Sequence, residues 1–165
     1  MRNGYTSFFS YHPEWLANAQ ELVYTWVGGQ LYKHDNTTDY CKFYGVQYDA
    51  YLTCVFNQNI HTKKSWNSVM EVANTIWSIP SMYTNTYSYG TTKQQSSLVE
   101  AEFKLLEGNP SAAIKRDANS SGGKINGNFM KGNWLAVKFQ KSNANNLVNL
   151  SEVSVRFTDS PLTVK

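Results

Sequence analysis

Apolar and polar residues alternate between Val46 and Phe56 more regularly than anywhere else in the chain. Every even position is apolar, and most odd positions carry polar side chains. Because successive side chains of a strand point to opposite faces of a sheet, this pattern predicts one long β-strand with a buried face. A strand of about ten residues is roughly twice the usual length and needs long partners, so we expect a β-sandwich. The residues predicted to face inward are Val46, Tyr48, Ala50, Leu52, Cys54 and Phe56.

The first forty residues predict a hairpin-rich segment. Residues 5–11 are rich in aromatic side chains and predict a strand, which Pro13 ends because proline cannot donate to a ladder. Residues 22–27 and 30–34 predict two strands joined by a tight turn at Gly28-Gly29. The only stretch that could form a turn of helix is 14–21.

The rest of the chain predicts further strands. Residues 63–79 show alternation whose phase slips midway, which predicts a β-bulge or a bend between sheets. Residues 97–106 alternate again, with Val99, Ala101, Phe103 and Leu105 expected inward. We expect a strand at 82–89 that ends at Gly90, a polar loop at 119–128, and closing strands at 133–140 and 147–157 joined as a hairpin by 143–146.

These elements predict an all-β fold in two parts. Residues 1–40 form the hairpin-rich segment, and residues 41–165 form an antiparallel, jelly-roll-like β-sandwich of about seven strands. Aromatic residues make up 15% of the chain and charged residues 16%, a composition that favours strands over a helical bundle.

Charge and hydropathy restrict the classes of partner. The net charge is +3, and no cluster of Lys and Arg is interleaved with aromatics, so we expect no nucleic-acid partner. No apolar run approaches the length of a membrane span, and the N-terminus shows no secretory signal. We interpret Cys41 and Cys54 as reduced thiols, consistent with folding in a cytoplasm.

The sequence shows no catalytic motif, and we expect neither a catalytic residue nor a metal or cofactor. The three histidines lack metal-ligand spacing, and no serine lies in a nucleophile elbow. Asp49, Glu71 and Glu102 are expected to be solvent-facing strand residues; an enzyme would need two carboxylates to converge in a cleft. A calcium loop at Asp35, Asn36 and Asp39 lacks EF-hand spacing.

A set of aromatic residues is the one candidate site. Tyr83, Tyr87 and Tyr89 follow an alternating pattern on one predicted strand, and Trp77 lies nearby in sequence. Exposed rings on a sandwich can stack on sugars, whereas Tyr and Trp are also enriched where subunits or domains pack together. Both interpretations, a protein interface and a glycan platform, remain open from the sequence.

Several segments resemble one group of phage proteins. The chain is similar to the C-terminal region of large tail-associated virion proteins of crAss-like gut bacteriophages, the muzzle, nozzle or stabilisation type of structural protein. The residues that carry the resemblance are Thr-Ser-Phe-Phe-Ser-Tyr-His-Pro-Glu-Trp (6–15), Gly-Gln-Leu-Tyr-Lys-His (29–34), Phe-Tyr-Gly-Val-Gln-Tyr (43–48), Ala-Ile-Lys-Arg-Asp (113–117), Met-Lys-Gly-Asn-Trp-Leu-Ala-Val-Lys-Phe (130–139) and Val-Ser-Val-Arg-Phe (153–157).

The resemblance implies a non-catalytic structural module of the phage tail, assembled in the bacterial host cytoplasm. It implies that the N-terminal segment is like one blade of a β-propeller and that the sandwich closes the chain. A single blade cannot close a propeller, so we expect a piece of a longer product or a relative that docks onto another subunit. The expected partners are other virion proteins, including copies of this chain; the alternative is a carbohydrate- or receptor-binding module that recognises a host surface glycan.

Overall fold

A computed structural model of the chain describes residues 12–34, 40–121, 123–142 and 146–160. Strands and their turns dominate these residues, and regular helix is limited to one 3-10 turn and one short α-helical turn. The predicted all-β, antiparallel sandwich class is therefore confirmed. The predicted strand at 5–11 and the loop with Asp35, Asn36 and Asp39 lie outside the described residues.

The chain divides into two compact units. The first comprises Met1–Tyr48 with Asn143–Leu147, and the second comprises Asp49–Ser142 with Val148–Lys165. The boundary therefore falls at Tyr48, eight residues beyond the predicted one at 40.

The first unit contains a three-stranded antiparallel sheet and a small hairpin. The sheet order is β1-β2-β3, and the hairpin pairs β4 with β5. Gly28 and Gly29 have φ of 58° and 74°, so the predicted tight turn between β2 and β3 is confirmed. The strands are β1 Trp15–Ala19, β2 Leu22–Val27, β3 Gln30–Lys33, β4 Lys42–Phe43 and β5 Val46–Gln47.

The suggested turn of helix at 14–21 is wrong. Most of that stretch is β1, which pairs antiparallel with β2 from Trp15 opposite Trp26 to Ala19 opposite Leu22. Gln20 and Glu21 form the connecting turn with φ of 51° and 65°, a left-handed conformation that is uncommon outside glycine. This turn contains no glycine, so no residue pattern indicated it.

The single long strand predicted from Val46 is also wrong. Tyr44 and Gly45 turn the chain with φ of 52° and 79°, and the Tyr48 backbone N–H donates to the Cys41 carbonyl oxygen at 2.8 Å. The pairing strand that follows, β6, covers only Ala50–Phe56. Its inward face is partly as predicted, because Ala50, Cys54 and Phe56 pack against the core while Leu52 is exposed.

The second unit is built from two antiparallel sheets. One has the order β6-β13-β8-β9. In the other, β7 pairs with β14 on one side and with β11 and β12 on the other, and β10 extends it beyond β11. The strands are β7 Lys64–Ala73, β8 Ser78–Tyr89, β9 Thr92–Leu98, β10 Lys104–Leu106, β11 Asn109–Ala113, β12 Lys131–Gly132, β13 Leu135–Lys141 and β14 Leu150–Asp159.

Both sheets contribute to one apolar core. Trp66 of β7 packs edge-on against Phe157 of β14, with ring centroids 5.4 Å apart. Burial of such large side chains supplies the main stabilising free energy of a sandwich. The buried apolar residues are Trp66, Val69, Trp77, Ile79, Met82, Leu98, Phe103, Ala112, Met130, Leu135, Val137 and Phe139.

A phase slip does occur in 63–79, but it lies before Val69 rather than between Val72 and Ala73 as the alternation predicted. Lys64 and Trp66 are buried at even positions, whereas Val69 and Glu71 are buried at odd positions. The side chains that face the core therefore change phase between positions 66 and 69. The partner strand β14 shows a matching register shift between Arg156 and Phe157. The chain then leaves this sheet after β7 and enters the other at β8.

Pro80 follows directly on the stretch 63–79 and lies inside β8. Register shifts occur next to it on both neighbours, between Lys138 and Gln140 on β13 and between Ile79 and Met82 opposite β9. A residue that lacks an N–H is tolerated in a central strand where the ladder is already irregular.

Two further expectations about strands are wrong. Residues 97–106 are interrupted by the 3-10 turn Glu100–Glu102, so Val99 and Leu105 are exposed and of the four predicted inward residues only Phe103 is buried. The Glu102 carboxylate accepts the Val99 N–H at 2.9 Å and stabilises that turn. The closing strands β13 and β14 do not form a hairpin, because they pair with different strands in different sheets.

Glu71 is buried rather than solvent-facing as expected. Its side chain is 0% exposed, and its Oε2 accepts the Trp77 backbone N–H at 3.0 Å, while Oε1 has no hydrogen-bond partner. Burial raises the pKa of Glu71 from 4.5 to about 7, with a smaller raising effect from Glu100; the Trp77 N–H and Lys141 oppose the increase. The core therefore favours the protonated carboxyl group.

We expect Glu71→Gln to remove a pH dependence of stability. Since the folded-state pKa is raised, the stabilisation is fully present below pH 4.5 and is lost as the pH rises through about 7. Urea unfolding should show the wild-type chain losing up to about 3 kcal/mol between pH 4.5 and pH 8 relative to the Glu71→Gln variant. The exposed Glu152→Gln is the control and should follow the wild type; parallel curves for all three proteins would contradict the assignment.

Candidate binding surfaces

The four aromatic residues singled out in the sequence do not form one surface. Trp77 is 6% exposed and belongs to the core, so it cannot stack on a ligand or partner. Tyr83 and Tyr87 on β8 are 40% and 54% exposed. Tyr83 belongs to a surface that we call the aromatic patch, and Tyr87 lines a cavity that we call the cationic pocket. Tyr89 ends β8, and its side chain lies outside the described part of the chain.

The aromatic patch consists of Tyr83, Trp134 and Lys93. The two rings meet edge to face at 5.7 Å and 84°, and the Lys93 ammonium lies 5.7 Å from the Tyr83 centroid and 5.8 Å from that of Trp134. Tyr83 stands opposite Ala136 of β13 and Gln95 of β9, on the outer face of the four-stranded sheet. The patch combines two flat apolar rings with a cation, which is a surface on which a sugar can stack.

The cationic pocket lies where the loop after β11 meets β8 and β9. It is about 350 Å³ in volume, within the range of small-molecule sites. The Arg116 guanidinium carbon lies 3.1 Å from the centroid of the Phe129 ring. The pocket is lined by Thr86, Tyr87, Gln94, Arg116, Gly127, Asn128, Phe129 and Lys131.

Hydrogen bonds fix the backbone of one pocket wall. The Lys131 N–H donates to the buried Gln94 Oε1 at 2.7 Å, and the Lys131 carbonyl accepts from the Thr84 hydroxyl at 2.8 Å. The Asn128 carbonyl accepts the Asp117 N–H at 2.8 Å, and its N–H donates to the Ser120 hydroxyl at 3.1 Å. The wall is therefore preformed, which lowers the entropic cost of binding.

Asp117 holds this loop against β8 and β9. It is fully buried, and its Oδ1 accepts the backbone N–H groups of Gln95 and Asn119, each at 3.0 Å. Its Oδ2 accepts the Ser88 hydroxyl. Both carboxylate oxygens are thus used within the fold.

The first unit carries a row of apolar side chains across its sheet. Trp15, Trp26 and Leu31 stand opposite one another on β1, β2 and β3, and the two indole rings lie 5.6 Å apart. Trp15 is 71% exposed and Leu31 is 57% exposed. We call these three residues the apolar row; exposed clusters of this kind mark interaction surfaces more often than isolated apolar side chains do.

The opposite face of the same sheet is covered around Thr25 and Tyr32, whereas Leu16 at its β1 edge is exposed. The Tyr44 ring, from the turn between β4 and β5, meets the Tyr32 ring edge to face at 4.7 Å. The buried Thr25 hydroxyl makes hydrogen bonds to His34 Nε2 at 2.7 Å and to the Tyr44 hydroxyl at 2.9 Å. The sheet therefore packs most of one face inside its own unit and exposes the apolar row on the other.

The second unit also has an exposed strand edge. Within the described residues, β6 pairs with β13 alone, and Tyr51, Leu52 and Val55 are exposed. The strand carries no charged residue and no proline, the two features that commonly protect an edge. A groove of about 260 Å³ runs beside it, lined in part by Phe56, Trp66 and Phe157.

Sequence reasoning missed most residues of these surfaces. Trp134, Lys93, Arg116 and Phe129 are far apart in sequence and meet only through the sheet register and the loop after β11. Gln94 and Ser96 carried no strand signal because they are polar, although both are buried. The available sequence signal for these surfaces was an aromatic residue near a lysine or arginine in the chain, and this signal is weak.

The remaining candidate chemistry is structural. Glu102 forms an ion pair with Lys115, and the Asp49 carboxylate accepts a hydrogen bond from Gln140 at 2.8 Å. Among the described residues, no group of three or more His, Cys, Asp or Glu side chains could hold a metal ion. None of the helical segments in the described ranges is long and apolar enough to cross a membrane.

No family model matches the sequence, and no curated protein matches it.

We expect Asp117→Ala to destabilise the second unit by about 2 kcal/mol or more, because three donors lose a buried acceptor. Thermal unfolding and the near-ultraviolet circular dichroism of the folded chain would measure this. The exposed Asp159→Ala provides a matched control for the loss of one carboxylate and should change stability by less than about 0.5 kcal/mol. Equal melting curves for the two variants would contradict the role of Asp117.

Proposed function

We propose that this chain is a non-catalytic structural module of a bacteriophage virion that joins tail proteins through β-rich protein–protein contacts. The observation that carries the proposal is the apolar row on the sheet of the first unit. The sequence resemblance to tail-associated proteins of crAss-like phages supplies the biological setting, the phage tail assembled in the host cytoplasm.

The apolar row has the composition of a protein interface. Trp is among the side chains that contribute most to binding free energy, because a large ring excludes water at a small cost in conformational entropy. A tryptophan that is 71% exposed leaves most of its apolar area in contact with water. Covering the Trp15 and Leu31 side chains with a second sheet would remove that area from water.

The occupant we propose is a sheet of a neighbouring tail subunit, packed face to face on the apolar row. Blades of a propeller pack in this way, each covering the face of the next. Tyr44 packs over Thr25 on the opposite face, so we expect the partner to bind on the face that carries Trp15. The partner is therefore expected to present apolar residues on a strand-rich face.

We expect Trp15→Lys to prevent incorporation into phage particles, because a charge would be buried without a partner at the interface. A host expressing tagged copies of the chain would be infected, and peptides from purified particles would be quantified by mass spectrometry. Wild-type chain should be present, and the variant should fall by about tenfold or more.

Ile125→Lys is the matched control, because Ile125 is 83% exposed in the second unit. It introduces the same charge away from the apolar row and should leave incorporation unchanged. Absence of the wild-type chain from particles would sink the virion proposal, and equal loss in both variants would show that the apolar row is not the interface.

A second candidate function is recognition of a surface glycan, favoured by the aromatic patch. Tyr83→Ala should weaken binding to a glycan array by about tenfold, since ring stacking contributes about 1 kcal/mol or more. Tyr51→Ala is the control, because Tyr51 is also exposed and has Lys138 4.9 Å from its ring centroid. Equal loss in both variants, or no binding by the wild type, would reject the aromatic patch as a glycan site.

A further inference from the structure

We propose that the cationic pocket binds the carboxylate of an acidic sugar, such as a uronic acid residue of a surface polysaccharide. This inference does not depend on the structural role above, since it concerns a different surface. It also differs from the aromatic patch, because here two cations and two rings line a concave site rather than an open sheet face.

Within the described residues, no carboxylate lies at ion-pair distance from the cations of the pocket. None of the described residues forms an ion pair with Arg116 or Lys131, although both residues are partly buried. The carboxylate nearest in sequence is that of Asp117, and both of its oxygens accept hydrogen bonds from other groups of the fold, three bonds in all. Two partly desolvated cations beside one cavity favour an anionic ligand.

The stacking of Arg116 selects a planar anion. Its guanidinium carbon lies over the face of the Phe129 ring, which restricts the side chain, and its N–H groups lie at the edges of the planar group. Those edges match the two oxygens of a carboxylate in a bidentate pair. A stacked guanidinium is already ordered, and less side-chain entropy is lost on binding.

The other lining groups suit the rest of a sugar ring. Tyr87 and Phe129 are each half or more exposed and offer apolar faces to the C–H groups of a pyranose. Asn128 and Thr86 offer an amide and a hydroxyl to its hydroxyl groups. The volume of about 350 Å³ is at the small end of ligand sites, which fits a monosaccharide or a disaccharide.

The test is titration of the purified full chain with defined sugars, followed by nuclear magnetic resonance of the backbone amides. The probes are glucuronic acid and digalacturonic acid, with glucose as the neutral control, inorganic phosphate as a simple anion and a short oligothymidine as a nucleic acid. The acidic sugars should shift the amides of residues 127–131, and added salt should weaken binding because the attraction is electrostatic.

Variants locate the site. Arg116→Gln should weaken digalacturonic acid binding by about tenfold or more, and Lys131→Gln should weaken it severalfold. Arg116→Lys should recover only part of the loss, since a lysine keeps the charge but not the planar pair. Lys104→Gln, an exposed cation on β10 outside the pocket, is the control and should bind like the wild type.

The proposal is overturned if glucose binds as tightly as the acidic sugars, if phosphate or oligothymidine binds more tightly than they do, or if no probe binds. Loss of binding in Lys104→Gln equal to that in Arg116→Gln would also overturn it. Should Arg116→Gln fail to fold by circular dichroism, Lys131→Gln and the amide shifts of the wild type decide the location. Particle incorporation of Arg116→Gln should be unchanged, so this proposal and the virion role fail separately.

Discussion

The second unit depends on how the backbone of one irregular segment obtains its hydrogen bonds. Between β11 and β13 the chain runs for some twenty residues with little ladder of its own, and buried N–H and C=O groups without partners are costly. Side chains of other strands supply the missing partners. Gln94 and Thr84 bind the backbone of Lys131, and Asn85 Oδ1 accepts the Asn133 N–H at 2.9 Å. These bonds place Met130 in the core and leave Phe129 beside it at the surface, so the same constraint that completes the core also forms the cationic pocket.

The two buried ionisable residues of β7, Lys64 and Glu71, lie near opposite ends of that strand. Near its start, the Lys64 ammonium donates to the carbonyl oxygens of Asn59, Thr62 and Asn133, with distances of 2.8 to 3.2 Å. Near its end, Glu71 binds the Trp77 N–H and leaves one oxygen unpaired. A buried cation with three carbonyl acceptors is well satisfied, whereas a buried carboxylate with one donor is not, and it lowers its cost by retaining a proton. The strand is thus fixed to a loop at one end and to the crossing between sheets at the other.

The sequence was informative where the periodicity of side chains met a clear turn residue. The Gly28-Gly29 hairpin and the alternation of Leu135, Val137 and Phe139 in β13 were predictable, because each shows a clear turn residue or a regular core face; the phase slip in β7 was predicted to exist but not at its observed position. Prediction failed where a buried polar side chain or a non-glycine turn replaced that signal. Gln94 has the character of a loop residue, yet its hydrogen bond to the backbone of Lys131 offsets the cost of its burial; Gln20 and Glu21 turn the chain without a glycine. The surfaces were the least predictable part, because Arg116 and Phe129, or Tyr83 and Trp134, meet only after the strands and the loop are placed.

The physical character of the surfaces separates the ligands that each can select. The apolar row offers area but few hydrogen-bond groups, so it gains free energy from any partner that excludes water and obtains selectivity from the shape of the partner sheet. The cationic pocket is small and polar, so buried area contributes little to binding, and selectivity comes from charge and from the position of Arg116 over the Phe129 ring. A neutral sugar in that pocket would leave two cations partly desolvated and unpaired, which costs free energy that an acidic sugar recovers. Hence the two proposed interactions, with a protein partner by burial and with an acidic glycan by charge, are compatible in one module, because neither requires the residues of the other.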